Sequence, residues 1–271
     1  MKRQRRYFGA LLRLNISVTI AYRGDFILMQ LGNLVVPLIS WLVWRAVLAS
    51  GATLPVDGRY LVAYFLLVAV VEMLTSSWVA FYLAESIRDG SLNLWLVRPT
   101  STHVNGISNN LGEKAIKVLM LVPFVAILAV LLAVLGTADQ QLRLPTAIGR
   151  WALFAVVVII AAAIRFAIDV LIGSLGFWFE DVSGFLRAMN VIIPVLSGAV
   201  VPLALLPAGW QLIGRVQPFR YLVSYPMDVL LGHGTANLAD FAGQLTWLAV
   251  FACGAALVWR LGLRSYSAAG A

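Results

Sequence analysis

Six stretches of the chain are almost purely apolar, at about residues 26–49, 60–83, 114–136, 150–178, 185–206 and 241–260. Each is near the ~20 residues a helix needs to cross a bilayer, and too long and apolar for an ordinary core helix. The pattern predicts an all-α polytopic membrane protein with six transmembrane helices. The fourth run is long enough that tilt or projection into the cytoplasm is expected. Between the fifth and sixth runs, residues 207–240 are moderately apolar but broken by Pro207, Gly209, Gly214, Pro218, Pro226, Gly232 and Gly234. That punctuation predicts short outer interfacial or re-entrant helices, because non-helical backbone at membrane depth needs cover from protein or a wet cavity.

Two shorter segments carry mixed patterns. In residues 1–24, Tyr7, Phe8, Leu11, Leu12, Val18 and Tyr22 share roughly one helix face amid basic residues. This predicts an interfacial helix ahead of the first span. Arg13, Asn15, Ser17 and Thr19 interrupt the apolar stretch, so no signal-peptide cleavage is expected. Residues 85–99, between the second and third spans, offer Leu92, Leu94, Trp95 and Leu96, an apolar surface too short to span anything. Gly90 permits a tight bend at its start, Pro99 stops it, and Arg88 and Arg98 bracket it with charge. A helix of this kind between two spans is a handle on which a cytoplasmic partner can push. No internal repeat or low-complexity linker divides residues 1–271, which predicts one domain.

Composition agrees: 61% of residues are hydrophobic and 12% charged, against about 25% charged in a soluble domain. The net charge of +8 reflects membrane topology and lipid headgroups rather than nucleic acid. With the N-terminus inside, thirteen Lys and Arg fall on the inner side and six on the outer, with Arg165 inside a span. Both termini are therefore expected in the cytoplasm. The single cysteine, Cys253, lies in an apolar run and can form no intrachain disulfide.

Catalytic signatures are sparse. There is no Gly-rich phosphate loop ending in Lys-Ser/Thr, so no P-loop binding of ATP by this chain is expected. His103 and His233 fall in predicted loops on opposite sides of the membrane and cannot share a metal. Ser174 and Ser197 have glycine neighbours, a pattern that usually marks helix packing. Charges within spans each need a reason. Arg165 and Asp169, four apart, either form an internal ion pair or line a wet path or partner interface. Glu72 either pairs with Arg165 or faces a cavity. Glu180 and Asp181, at the end of the fourth span, either meet a basic partner or are solvated.

The sequence Ile87-Arg88-Asp89-Gly90-Ser91-Leu92, followed by Leu96-Val97-Arg98-Pro99, resembles the cytosolic motif of type-2 ABC exporter permeases. The similarity is greatest to the six-span branch often encoded as paired permeases beside one ATPase. Phe177-Trp178 with Glu180 is similar to that branch, as is the outer run from Ser197-Gly198 through Pro202, Pro207, Trp210, Pro218-Phe219, Tyr225-Pro226 and Leu231-Gly232. The resemblance covers essentially the whole chain in order.

The resemblance implies a coupling helix at about Ser86 to Leu96, with Glu85, Ile87, Arg88, Asp89, Gly90, Leu92, Leu96, Arg98 and Pro99 as ATPase-coupling residues. It implies an outer gate carrying Pro207, Trp210, Pro218, Phe219, Tyr225 and Pro226. It further implies a second permease subunit, identical or homologous, and two separate ABC ATPase subunits that bind ATP and Mg. The permease itself would hold no cofactor or metal and would sit in a prokaryotic plasma membrane. Family substrates range over drugs, lipids, polysaccharides and peptides. A membrane-embedded enzyme and a non-transporting membrane assembly protein are the alternatives.

Overall fold

The computed structural model describes residues 2–21, 23–97, 102–135, 144–232 and 237–266. In chain order the helices are α1 (Lys2–Ala21), α2 (Arg23–Ala49), α3 (Gly58–Thr75), α4 (Val79–Arg88), α5 (Asn93–Leu96), α6 (Thr102–Leu135), α7 (Ile148–Ser174), α8 (Ser183–Ser197), α9 (Ala208–Val216), α10 (Ser224–Leu231) and α11 (Leu238–Ser265). The protein is an all-α polytopic membrane protein. Among the described residues, five helical stretches are long and apolar enough to cross a membrane: Gln30–Ala49, Gly58–Arg88, Gly106–Leu131, Ile148–Phe177 and Leu238–Ser265.

The second of these, 72% buried, is the spine of the bundle. Nearly every residue of α3 is enclosed, and its Tyr64, Phe65, Leu66 and Met73 form the core with Trp41 of α2, Leu128 of α6, Ile164 of α7 and Met227 of α10. The remaining spans keep apolar faces outward, as lipid-facing helices do. Helix α7 packs along α11 and against α4. The α4–α7 contact depends on small residues. A Cβ at Gly173 would lie 2.9 Å from the Ala80 carbonyl oxygen, and one at Gly176 would lie 3.3 Å from Ala84 Cα.

Two elements differ from the sequence expectation. The predicted span at 185–206 is the 15-residue helix α8, which ends at Gly198 with φ +91°. The apolar residues after it turn back as a 3-10 turn, Leu203–Leu205, and lead into α9. A side chain at Gly198 would strike Ser224 Oγ, and Tyr64 donates a 2.8 Å hydrogen bond to the Gly198 carbonyl. The helix therefore stops where the outer segment needs its backbone. The second predicted span is two helices, with a break at Ser76-Ser77-Trp78. Glu180 and Asp181 lie beyond the end of α7 and are exposed. Asp181 accepts from the Ser183 backbone N–H at 2.7 Å and from Ser183 Oγ at 2.8 Å, which starts α8 and holds this carboxyl below the usual range.

The N-terminal helix forms as expected and lies along α6, with Leu11 buried and Asn15 Nδ2 donating to Ser108 Oγ at 3.4 Å. Gly112 admits this approach, since a Cβ there would be 3.0 Å from Asn15 Cβ. Val18, expected on the same face as Leu11, points outward.

Candidate functional site

The break in the second span contains neither Gly nor Pro. Its cause is forty residues away. When α3 stops at Thr75, its last carbonyls lose their helical donors. Lys114 of α6 donates to the Leu74 carbonyl at 2.9 Å, the Ser76 carbonyl at 3.3 Å and the Thr75 carbonyl at 3.5 Å. Lys117, wholly buried, donates to the Ser76 carbonyl at 3.1 Å and to Ser76 Oγ at 2.8 Å, and pairs with Glu113 at 2.5 Å. Two ammonium groups thus satisfy a helix C-terminus, where the backbone dipole favours positive charge. These lysines, counted with the inner surface charges from sequence, are instead internal.

Beside the break lies a cavity of about 510 Å³ between α2, the α3–α4 break, α7 and α8. The intramembrane charges singled out in the sequence all line it: Glu72, Arg165 and Asp169. Arg165 Nε donates to Asp169 Oδ1 at 3.3 Å, so the internal pair is formed and it borders the cavity. Glu72 faces the cavity. Among the described residues it forms no ion pair within 4.0 Å, although Arg165 is near enough to act on its charge. Arg187 of α8, Gln30 and Asn33 of α2, and the aromatic rings of Trp78 and Phe81 complete the lining relevant to a polar guest.

At the end of the bundle where α4 meets α5, Gly90 adopts φ +76° and Leu92 N–H donates back to the Ser86 carbonyl at 2.9 Å. A Cβ at Gly90 would meet nothing within 4 Å, so the need for glycine is conformational. Asp89 accepts from the Ser91 N–H at 2.9 Å, which holds its carboxyl below the usual range. The expected coupling helix is short: α5 is one turn, and Ser86 to Arg88 belong to α4.

Its expected contact residues divide in two. Leu92 is wholly buried and Ile87 nearly so, both packed on Trp259 with Leu83, Phe177, Leu263 and Tyr266 around them. Leu92 is therefore an anchor within the chain and not the partner-facing residue expected of it. Glu85, Arg88, Asp89 and Leu96 are exposed, together with Leu94 (62%) and Val97 (82%). Arg98 and Pro99 lie outside the described residues, as does His233. The anchor reaches the Phe177-Trp178 pair: Phe177 meets Trp259 at 5.4 Å and Tyr266 at 5.6 Å between ring centroids. Gly262 makes room, since a Cβ there would overlap the Phe177 ring. Sequence inspection missed Trp259 and Gly262, which read as ordinary residues of the last span.

The segment expected to gate the far end is packed unevenly. Trp210 of α9 is 64% exposed, beside exposed Leu212, Ile213 and Val216. Pro207 precedes α9, and Pro218 and Phe219 open the 3-10 turn Pro218–Leu222. Tyr225 and Pro226 are buried in α10. The centre of the segment is a group the sequence did not suggest. Buried Arg220 donates from Nη1 to Asp240 Oδ1 at 3.1 Å and from Nη2 to Asp228 Oδ2 at 3.2 Å. Its guanidinium lies 5.4 Å from the Tyr221 ring and 5.7 Å from the Tyr225 ring. Burial outweighs the attraction of Arg220 and pushes the Asp228 carboxyl up to about 6. Ser174 and Ser197 each bond a backbone carbonyl of their own helix, Val170 at 2.7 Å and Pro194 at 3.4 Å.

Residues 57–270 match the family model described as ABC-2 family transporter protein. The chain belongs to this family. No curated protein matches it significantly. ABC-2 membrane subunits generally work with ATPase subunits, so the permease is a transmembrane component of an ABC transporter. The matched region takes in the α3–α4 break, the cavity residues Glu72, Arg165 and Asp169, the α5 turn and the outer segment.

Proposed function

We propose that the permease is the membrane subunit of an ATP-driven exporter in a prokaryotic plasma membrane. Two such subunits, identical or homologous, form the path. Two separate ABC ATPase subunits, carrying ATP and Mg, dock on α5. The observation that carries this is the division of the α5 turn. Ile87 and Leu92 fasten it to α4 and α11, while Leu94, Leu96 and Val97 project from the bundle end. A rigidly anchored turn with an exposed apolar tip can transmit displacement, because packed elements switch between discrete arrangements rather than deforming continuously. Displacement of α5 pulls directly on α4, whose upper end abuts the Lys114–Lys117 clamp and the cavity. Binding of ATP drives this only if the partner's closed state contacts α5 differently from its open state.

This assignment puts both termini and α5 in the cytoplasm, with the short helix α8, which ends beside Tyr64 of α3, as the sixth crossing. Lys114, Lys117 and Arg220 are internal, and removing them from the surface count leaves eleven basic residues against five, still in favour of that orientation. The test is co-expression with an ABC ATPase. The pair should copurify, and hydrolysis should require the partner. Robust ATP hydrolysis by the purified permease alone would overturn the assignment, as would failure of every tested ABC ATPase to associate.

A further inference from the structure

Among the described residues, the cavity between α2, the α3–α4 break, α7 and α8 is lined by two carboxylates and two guanidinium groups, of which only Arg165 and Asp169 are paired with each other. Glu72 and Asp169 are its carboxylates, and Arg165 is the more buried of its two basic lining residues. Arg165 already engages Asp169 Oδ1, while Asp169 Oδ2 is buried without a well-formed hydrogen bond. Lys114 and Lys117 do not line the cavity. They lie on the other side of the break, taken up by the carbonyls of Leu74, Thr75 and Ser76 and by Glu113. Arg187, exposed on α8, is the remaining basic lining residue. Glu72 is thus the carboxylate with the least compensation, at a depth where an unbalanced charge is costly.

On the transporter assignment above, we propose that this cavity binds the cationic head of an amphiphilic substrate. Glu72 is the recognising carboxylate. The rings of Trp78 and Phe81, both partly exposed, supply a surface for the cation face and for the apolar body. The volume of about 510 Å³ lies within the range of small-molecule sites. An anionic head would meet the unpaired Glu72, opposed by the committed guanidinium of Arg165 and by Arg187 on the exposed face of α8.

Tetraphenylphosphonium and tetraphenylborate have the same shape and opposite charge, and they test the idea. Each is titrated against the full chain in phosphatidylcholine nanodiscs, with empty nanodiscs subtracting membrane partition. The phosphonium should bind saturably and the borate should not. Glu72→Gln should weaken phosphonium binding by about tenfold, as expected for the loss of one charge contact of about 1.4 kcal/mol. Glu72→Asp should retain most of it. Arg187→Glu, at an exposed position that does not threaten folding, should strengthen it by about two- to threefold. Equal binding of the two ions, no saturable phosphonium binding, or affinities unmoved by both Glu72→Gln and Arg187→Glu would each overturn the proposal. Copurification with the ATPase separates the two levels. Glu72→Gln should leave it intact, whereas its absence in the wild type refutes the transporter assignment and leaves the binding result standing.

Discussion

Replacing Lys117 with Met probes the clamp on the broken span. The ammonium of Lys117 donates to Ser76 Oγ and the Ser76 carbonyl and forms an ion pair with Glu113 Oε1. The side chain is wholly buried, and its partner Glu113 is only 10% exposed. Methionine preserves the volume and removes the charge. Glu113 is then left unpaired at membrane depth, and breaking a buried pair from one side costs about 3–5 kcal/mol. The Ser76 carbonyl keeps its 3.3 Å bond from Lys114, so its loss adds little. The double variant Lys117→Met/Glu113→Gln removes the stranded charge and should recover most of the loss, giving a coupling energy of about 2–3 kcal/mol. Unfolding in mixed micelles of increasing SDS fraction measures Lys117→Met, Glu113→Gln and the double variant. A single variant within about 1 kcal/mol of wild type, or additive effects in the cycle, would show that the lysine does not hold the break.

Gly90→Val should stay inserted but lose coupled ATP hydrolysis, because a β-branched residue at φ +76° strains the turn by about 1–2 kcal/mol or more and re-aims α5; normal ATPase stimulation in the complex would contradict this. Leu94→Asp should weaken ATPase copurification without lowering yield, while Leu92→Asp should lower yield itself because Leu92 is buried in the chain; equal yields would refute the anchor. Arg165→Leu and Asp169→Leu should each lower folded yield, a lone intramembrane charge costing about 2.5–3.5 kcal/mol, and the double Leu variant should restore yield but not transport; additive effects would exclude the pair. Asp228, raised from 3.8 to about 6, binds a proton in the fold that the unfolded chain releases. Its stabilisation is fully present below about pH 4 and is lost as pH rises through about 6, close to 3 kcal/mol in all. Asp228→Asn should flatten the pH dependence between 4 and 7, and an unchanged slope would contradict the shift.

Much of the architecture was legible in local sequence. The apolar runs became helices, Pro207 and Pro218 begin short outer elements, and Gly90 turns the chain between α4 and α5. What escaped was non-local. Nothing at Ser76-Ser77-Trp78 marks a break, because the groups that satisfy its carbonyls are Lys114 and Lys117 on another helix. The apolar run at 185–206 continues past the end of α8, since Gly198 serves a close contact with Ser224 and Tyr64 rather than a change in hydrophobicity. Leu92 and Leu94 are identical in type and opposite in direction, and only the position of Trp259 separates them. Arg220 looked like a surface charge because its two carboxylates come from residues 8 and 20 further on. Glu72, Arg165 and Asp169 were flagged for their cost at membrane depth, Arg165 and Asp169 as a pair, and their shared cavity follows from how α3 and α7 pack.

Site-specific cross-linking tests the central claim, that an ATPase drives this permease through α5, most directly. In a Cys253→Ser background, single cysteines are placed at Val97, exposed beside α5, and at Trp210, exposed on α9, each carrying a short photo-reactive cross-linker. The permease is co-expressed with its ABC ATPase in intact membranes. Val97→Cys should capture the ATPase and Trp210→Cys should not. Capture from Trp210→Cys, or from neither position while the two proteins copurify, would contradict the account.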